Sequence, residues 1–188
     1  MPDWDKIYQE KEVADATAAQ VLLNNNHLLP NRGRALDYAC GLAGNGIYLA
    51  GRGFEVSAWD NSRVAVDKVN TYARKYNLNL RAEQKDLEQQ PPVMQAQYDM
   101  IIVSFFLHRE SLRNLYAGLK KGGLLFYQTF SGEQQQGRGP SNPNFRLQTN
   151  ELLKVFSDMQ LLHYREDDGA VQTLLPDSDQ VYFIARAP

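Results

Sequence analysis

The sequence has 188 residues, enough for one domain with its own core. Hydrophobic residues make up 43% and charged residues 22%, ordinary values for a globular chain. A formal net charge of −2 with no basic block argues against a dedicated nucleic-acid binder, and the single cysteine, Cys40, excludes an intramolecular disulfide.

The opening stretch MPDWDKIYQEKEVADATA is polar and charged. It does not read as a signal peptide, and no apolar run approaches membrane-spanning length. The expectation is a soluble cytoplasmic protein with a small-molecule partner, no nucleic acid and no membrane. Two readings are open for Trp4-Asp5-Lys6-Ile7-Tyr8: an anchor that packs aromatic surface onto the domain, or a flap over a ligand site that uses Tyr8. Asp15 is expected to cap a helix through Ala18, Ala19, Val21, Leu22 and Leu23, closed by Asn24–Asn26 and Pro30.

Residues 34–60 organise the chain. A short apolar run (Ala35, Leu36, Tyr38) leads into a turn of small residues (Ala39, Cys40, Gly41). A helix is expected from about Asn45, broken by Gly51 and Gly53, and a second apolar run from Phe54 to Trp59 ends on Asp60. Strand, loop, helix, strand is one βαβ unit. Such units build parallel sheets with right-handed crossovers and bind ligands at the carboxyl ends of the strands. Asp60 falls where an acid accepts hydrogen bonds from ribose hydroxyls. The glycines Gly41, Gly44 and Gly46 read G-x-x-G-x-G, which is not the dinucleotide order G-x-G-x-x-G, and no phosphate loop occurs.

Asp37 stands just before the turn, within LDYACGLAGNGIYLA, and FEVSAWDNS follows. This pair of acid-bearing motifs resembles the class I S-adenosylmethionine-dependent methyltransferases, and within them the small tellurite-resistance and thiopurine-methyltransferase-like group. The W-D-x-x-Y opening is similar to one in the same group. The resemblance implies S-adenosyl-L-methionine as cofactor and S-adenosyl-L-homocysteine as product. It places the cofactor on Asp37, the loop Ala39, Cys40 and Gly41, Asn45, Asp60 with Asn61, Asp86 with Leu87, and Ser104. In that group Ala39 and Ala43 stand where glycine is usual. Alanine tolerates positive φ poorly, so a somewhat different loop shape is expected.

Further along, Asn61-Ser62 caps a helix bearing Val66, Val69, Ala73 and Tyr76 on one face. Leu78, Leu80 and Ala82 alternate as an edge-side third strand, and residues 89–97 form a polar, proline-containing connection. Tyr98–Ser104 is apolar on both faces, which suits a central parallel strand. The segment Phe105-Phe106-Leu107-His108-Arg109 follows where the crevice is expected. His108 is the candidate acid–base group, because its ordinary pKa lies near neutral. Its other reading is a structural histidine. Arg109 is a candidate for holding an anionic acceptor, or a surface arginine paired with an acid. A helix through Leu112, Leu115, Tyr116 and Leu119 should stop at Lys121-Gly122-Gly123, and Leu124–Phe130 is the fifth strand. Tyr127 and Phe130 at its end line the acceptor pocket in one reading and belong to the core in the other.

Residues 131–148 are a long stretch rich in Gln, Gly, Pro and Asn, with hinge residues Gly137 and Gly139 and dockable Phe145 and Leu147. Such a loop is expected to be functional, here a lid. Thr149 should cap a last helix carrying Leu152, Val155, Phe156 and Met159 inward. Leu161–Tyr164 and Val181–Ala185 are the final strands, joined by a turn-rich stretch as an antiparallel hairpin. The expected fold is a three-layer α/β sandwich: a Rossmann-like, seven-stranded, mostly parallel sheet with helices between the first five strands and an antiparallel last strand. One domain spans residues 1–188, with a flap and helix over 1–30. Cys40, His27, His108 and His163 have no ligand-like spacing, so no metal site is assigned. The leading function is methyl transfer to a small molecule such as tellurite, selenite, a thiol or an aromatic metabolite. The alternatives are an adenosylmethionine or adenosylhomocysteine binder without turnover, and a nicotinamide-dependent oxidoreductase.

Overall fold

The computed structural model describes residues 3–134, 137–167 and 179–188. The chain runs through α1 (Trp4–Gln9), α2 (Gln20–Asn24), β1 (Arg34–Tyr38), α3 (Gly44–Gly51), β2 (Glu55–Asp60), α4 (Arg63–Lys75) and β3 (Leu80–Gln84). It continues through β4 (Tyr98–Ser104), α5 (Arg109–Gly118), β5 (Leu119–Phe130), α6 (Glu151–Val155), β6 (Gln160–Glu166) and β7 (Gln180–Arg186). The seven strands form one sheet in the order β3-β2-β1-β4-β5-β7-β6. β7 lies antiparallel between β5 and β6, and the β1–β5 pairs are parallel. The stretch expected to join β6 to β7 lies mainly in 168–178, outside the described residues.

The strands β1, β2, β4, β5 and β7 alternate their side chains between two buried faces, as a sheet covered on both sides requires, while the edge strands β3 and β6 are more open. Ala35, Val56, Ala58, Met100, Ile102 and Phe126 face a core shared with α2, α3 and α4. Leu36, Tyr38, Ile101, Val103, Leu125 and Tyr127 face the opposite core, shared with α5 and α6. This is the three-layer arrangement that the alternation of strand and helix patterns predicts.

Four local expectations are corrected. No helix lies between β3 and β4; residues 85–97 carry Leu87 and Met94 into the second core instead, because a segment with Pro91 and Pro92 cannot propagate a helix. Asp15 ends a 3₁₀ turn over Val13–Asp15, and α2 starts only at Gln20 with Ala19 as its uncapped N-cap. The last helix starts from Asn150 in the left-handed region, not from Thr149. Finally, α5 ends at Gly118, ahead of the lysine–glycine pair. A Cβ there would come within 2.4 Å of Met94 Cε and 3.0 Å of Ile101 Cδ1, so glycine is what lets the helix end press onto the sheet.

Candidate active site

The parallel strands β1, β2 and β4 end side by side, and the loop 39–44 leaves the middle one. Both alanines expected to resist left-handed backbone adopt it, Ala39 at φ 57° and Ala43 at φ 56°, beside Gly41 at φ 53°. The loop therefore takes the glycine-type shape despite its alanines, at a cost of about 1–2 kcal/mol each. Cys40 N–H donates to the Trp59 carbonyl at 2.9 Å and Ala43 N–H to the Cys40 carbonyl at 2.8 Å, which close the turn.

Two carboxylates hold this loop. Asp60 Oδ2 accepts from Gly41 N–H at 2.7 Å and Oδ1 from Ser62 N–H at 2.9 Å. Asp37 is fully buried; its Oδ2 accepts from Gly46 N–H at 2.8 Å, and Asn45 Nδ2 lies 3.4 Å from Oδ1. Burial raises both carboxyls above the usual range, Asp37 to about 7. Asn45 is a hub. Its Nδ2 also donates to Ser104 Oγ at 2.9 Å, and its Oδ1 accepts from Ala19 N–H at 2.8 Å. One side chain thus ties together the ends of β1 and β4, the start of α3 and the segment before α2.

The amino-terminal segment closes the other side. Asp5 Oδ1 accepts from Ser62 Oγ at 2.6 Å and from Val64 N–H at 3.2 Å, so α1 is docked on the first turn of α4. Lys68 Nζ donates to the carbonyls of Gln9 at 3.0 Å and Lys11 at 2.6 Å. Tyr8 then lies over Gly41, where a Cβ would meet its hydroxyl at 2.6 Å. Burial and the nearby Asp60 push the Tyr8 phenol upward, so it stays protonated. The segment is both anchor and wall, which joins the two readings of W-D-x-x-Y.

Between these walls is a cleft of about 580 Å³, a size typical of small-molecule sites. From the sequence-assigned residues it is lined by Tyr8, by Ala39, Cys40 and Gly41 of the loop, and by Asn45 of α3. Asp60, Asn61, Leu87 and Ser104 complete that set. Asp37 lies behind the loop instead. Burial and the two carboxylates raise the Cys40 thiol well above its ordinary value, in keeping with a small filler rather than a nucleophile.

Five expectations are placed elsewhere. Asp86 is not in the lining; its Oδ1 accepts from Glu88 N–H at 3.1 Å and Gln89 N–H at 2.9 Å, a turn of its own. His108 points along α5, with Nδ1 3.2 Å from Ser111 Oγ and Nε2 3.2 Å from Glu110. Arg109 forks onto Glu151 at 2.7 and 3.0 Å and donates to the carbonyls of Asn144 and Arg146, so it straps α5 to the turn before α6. Tyr127 is fully buried and gives its hydroxyl to the Phe106 carbonyl at 2.7 Å; it is a core residue that supports the loop after β4. The 131–148 loop contributes no described residue to the cleft. It wraps around the guanidinium of Arg146, 2% exposed, which donates to the carbonyls of Ser131, Gly132 and Glu133 and lies 3.5 Å from Asp179. Sequence reading put the segment from Phe105 at the crevice but gave no role to Phe105 or Phe106, which both line the cleft, nor to residues 10–12 and 15–17. The aromatic pair after β4 was the available signal for the first, and the second has none.

Among the described residues, no group of three or more His, Cys, Asp and Glu could hold a metal ion, and no helix is long and apolar enough to cross a membrane.

A sheet in this order, with an acid at the end of β1 and another at the end of β2, has the fold of the class I S-adenosylmethionine-dependent methyltransferases. The family model of the tellurite resistance protein TehB matches residues 4–180, and the chain belongs to that family. A curated relative from Haemophilus influenzae, described as a probable S-adenosyl-L-methionine-dependent methyltransferase TehB, is 28% identical over 144 residues, covering 72% of this chain and 49% of the relative. The chain therefore spans about half the length of the curated relatives it matches. The crystal structure of TehB from Haemophilus influenzae superposes with a TM-score of 0.73 at 22% identity, over 98% of this chain and 67% of that one. A SAM-dependent methyltransferase from Aquifex aeolicus gives a TM-score of 0.73 at 17% identity, over the full length of both chains.

Proposed function

We propose that the chain is an S-adenosylmethionine-dependent methyltransferase acting on a small-molecule acceptor, with its cofactor in the cleft between the 39–44 loop and the amino-terminal segment. The observation that carries this reading is the pair Asp37 and Asp60 at the carboxyl ends of adjacent parallel strands, both bonded to amides around one loop. Both oxygens of Asp60 accept one backbone N–H, and a carboxylate oxygen has a second lone pair for a ribose hydroxyl. Asp37 has no exposed surface, so it acts through the loop: its carboxyl lies behind Asn45 and Gly46 and, once ionised, would attract a ligand ammonium group in the cleft. The residues fit the cofactor in a further respect. A Cβ on Gly44 would come within 2.3 Å of the Thr17 carbonyl, so the chain itself covers the start of α3 where a dinucleotide would place its pyrophosphate.

Bound adenosylmethionine supplies a methyl group already activated by the sulfonium charge. The chain orients it and excludes water, and orientation alone is worth about 7–11 kcal/mol in such a transfer. The described residues form one sheet with its two covers, so we take residues 1–188 as one domain. Tellurite, selenite, a thiol or an aromatic metabolite are the acceptor classes that the resemblance brings forward. The test is calorimetry with adenosylmethionine and adenosylhomocysteine, followed by an acceptor screen with the labelled donor. Binding together with adenosylhomocysteine formed alongside a methylated acceptor supports the reading. Binding without turnover on any acceptor supports a sensor, and no binding removes both.

A further inference from the structure

The cleft lining carries exposed aromatic rings. Phe105 directly follows Ser104 of β4, lines the cleft and is 53% exposed. It is also left-handed at φ 55°, a conformation that bulky side chains avoid. Its N–H donates to the Gln128 carbonyl at 2.8 Å, and its ring leans on Phe130 at 5.4 Å. Phe130 in turn is faced by the Arg146 guanidinium at 5.2 Å. The fold therefore holds an aromatic ring open to the cleft against its preferences for burial and backbone angle. Trp4, 41% exposed and stacked on Tyr8 at 6.0 Å, lines the same cleft from the amino-terminal side.

The charges are one-sided. Leaving aside Asp60, which the proposed function gives to the cofactor ribose, Lys11 is the sole lysine or arginine among the described lining residues, against Glu10, Glu12, Asp15 and Glu88. Glu12 shares Lys68 at 3.6 Å. Carboxylates around a partly enclosed cleft repel an anion and favour a cation.

We propose that the acceptor is an uncharged aromatic nitrogen heterocycle, methylated on a ring nitrogen, with Phe105 as its stacking platform. This rests on the reading of the cleft as the adenosylmethionine site. The ring-nitrogen lone pair forms the new bond to the methyl carbon, and the carbon–sulfur bond breaks with its electron pair left on sulfur. The positive charge moves from sulfur to the ring, and no proton is transferred. The cationic product faces carboxylates and aromatic rings, which favour it by Coulomb attraction and by cation–π contact.

The full chain is given labelled adenosylmethionine with quinoline and, in parallel, with tellurite, selenite and 2-mercaptoethanol. N-methylquinolinium should form together with adenosylhomocysteine, at least about tenfold faster than any product of the other three. Faster labelling of an oxyanion or the thiol overturns the proposal, as does no methylquinolinium while calorimetry shows adenosylmethionine binding. Failure of that binding instead removes the underlying reading as well. Phe105→Gly suits the left-handed backbone and should raise KM for quinoline about tenfold, the scale of one lost stacking contact. Adenosylhomocysteine affinity should stay within about twofold, and Phe105→Trp should restore KM. An unchanged KM in Phe105→Gly refutes the platform.

Discussion

The Asp60 carboxylate and the Gly41 amide are bonded at 2.7 Å, so the acid that ends β2 shapes the loop that follows β1. In the proposed reading, shape and ligand contact are thus carried by one side chain. Asp60→Ala should weaken adenosylmethionine binding at least about tenfold, since charge-assisted bonds are worth about 1.5–3 kcal/mol each. It should also lower unfolding stability by about 1–3 kcal/mol, because the Gly41 and Ser62 amides lose a partner. Calorimetry and urea unfolding check the two effects separately; unchanged affinity with reduced stability would leave Asp60 a structural role only.

Asp37 gives a pH signature. Its carboxyl is raised from 3.8 to about 7 in the folded chain, so the folded state holds the proton more tightly than the unfolded state between those values. Stability of the ligand-free protein should therefore fall as pH rises from about 4 to 7, and Asp60, also raised, adds a contribution of the same sign. Asp37→Asn should flatten that fall. Adenosylmethionine brings an ammonium group that favours the ionised carboxylate, so binding near pH 6.5 should release a proton. Calorimetry in buffers of different ionisation enthalpy measures it, and zero release would separate Asp37 from the ligand.

Arg109 is expected to matter for stability rather than for methyl transfer. Its fork onto Glu151 and two carbonyls should make Arg109→Ala cost about 1–3 kcal/mol. Arg109→Lys should restore little, since an ammonium cannot bond bidentately. Urea unfolding reads this directly. A fall in kcat without loss of stability would return Arg109 to the acceptor site.

The cover of the cleft should be the amino-terminal segment. Hydrogen exchange over residues 3–19 should slow when adenosylhomocysteine is added, because Tyr8 and residues 10–12 and 15–17 line the cleft and Ala19 bonds to Asn45. Exchange over residues 141–147, held by Arg109 on the Asn144 and Arg146 carbonyls and by the Leu147 N–H on the Phe130 carbonyl, should not change. The reverse pattern would make the 131–148 loop the lid after all.

Ala39 and Ala43 are strained by their positive φ. Ala39→Gly should raise stability by about 0.5–1 kcal/mol, the left-handed penalty less the entropy that glycine adds to the unfolded chain. A lowered thermal midpoint would mean the methyl group of Ala39 packs more strongly than its backbone is strained.

What was legible in the sequence was local and periodic. The run Ala35–Tyr38, the small turn and the run ending at Asp60 sufficed for the βαβ unit, because strand period, turn residues and terminal acids all lie within one contiguous stretch. The same holds for Ser62, which caps α4 as expected, with its Oγ accepting from Ala65 N–H at 3.1 Å. The tertiary structure decided everything that depends on direction. Position after a strand does not say where a side chain points: His108 and Arg109 follow β4 closely, yet packing of α5 turns one toward Glu110 and the other toward Glu151, while Phe105 and Phe106 line the cleft. Tyr127 looked equally suited to core or pocket, and the alternation of β5 placed it on the fully covered face. The cleft's second wall joins residues 4–17 to a loop more than twenty positions away. Only long-range bonds such as Asp5 to Ser62 and Ala19 to Asn45 put it there, and such bonds leave no periodic trace in a sequence.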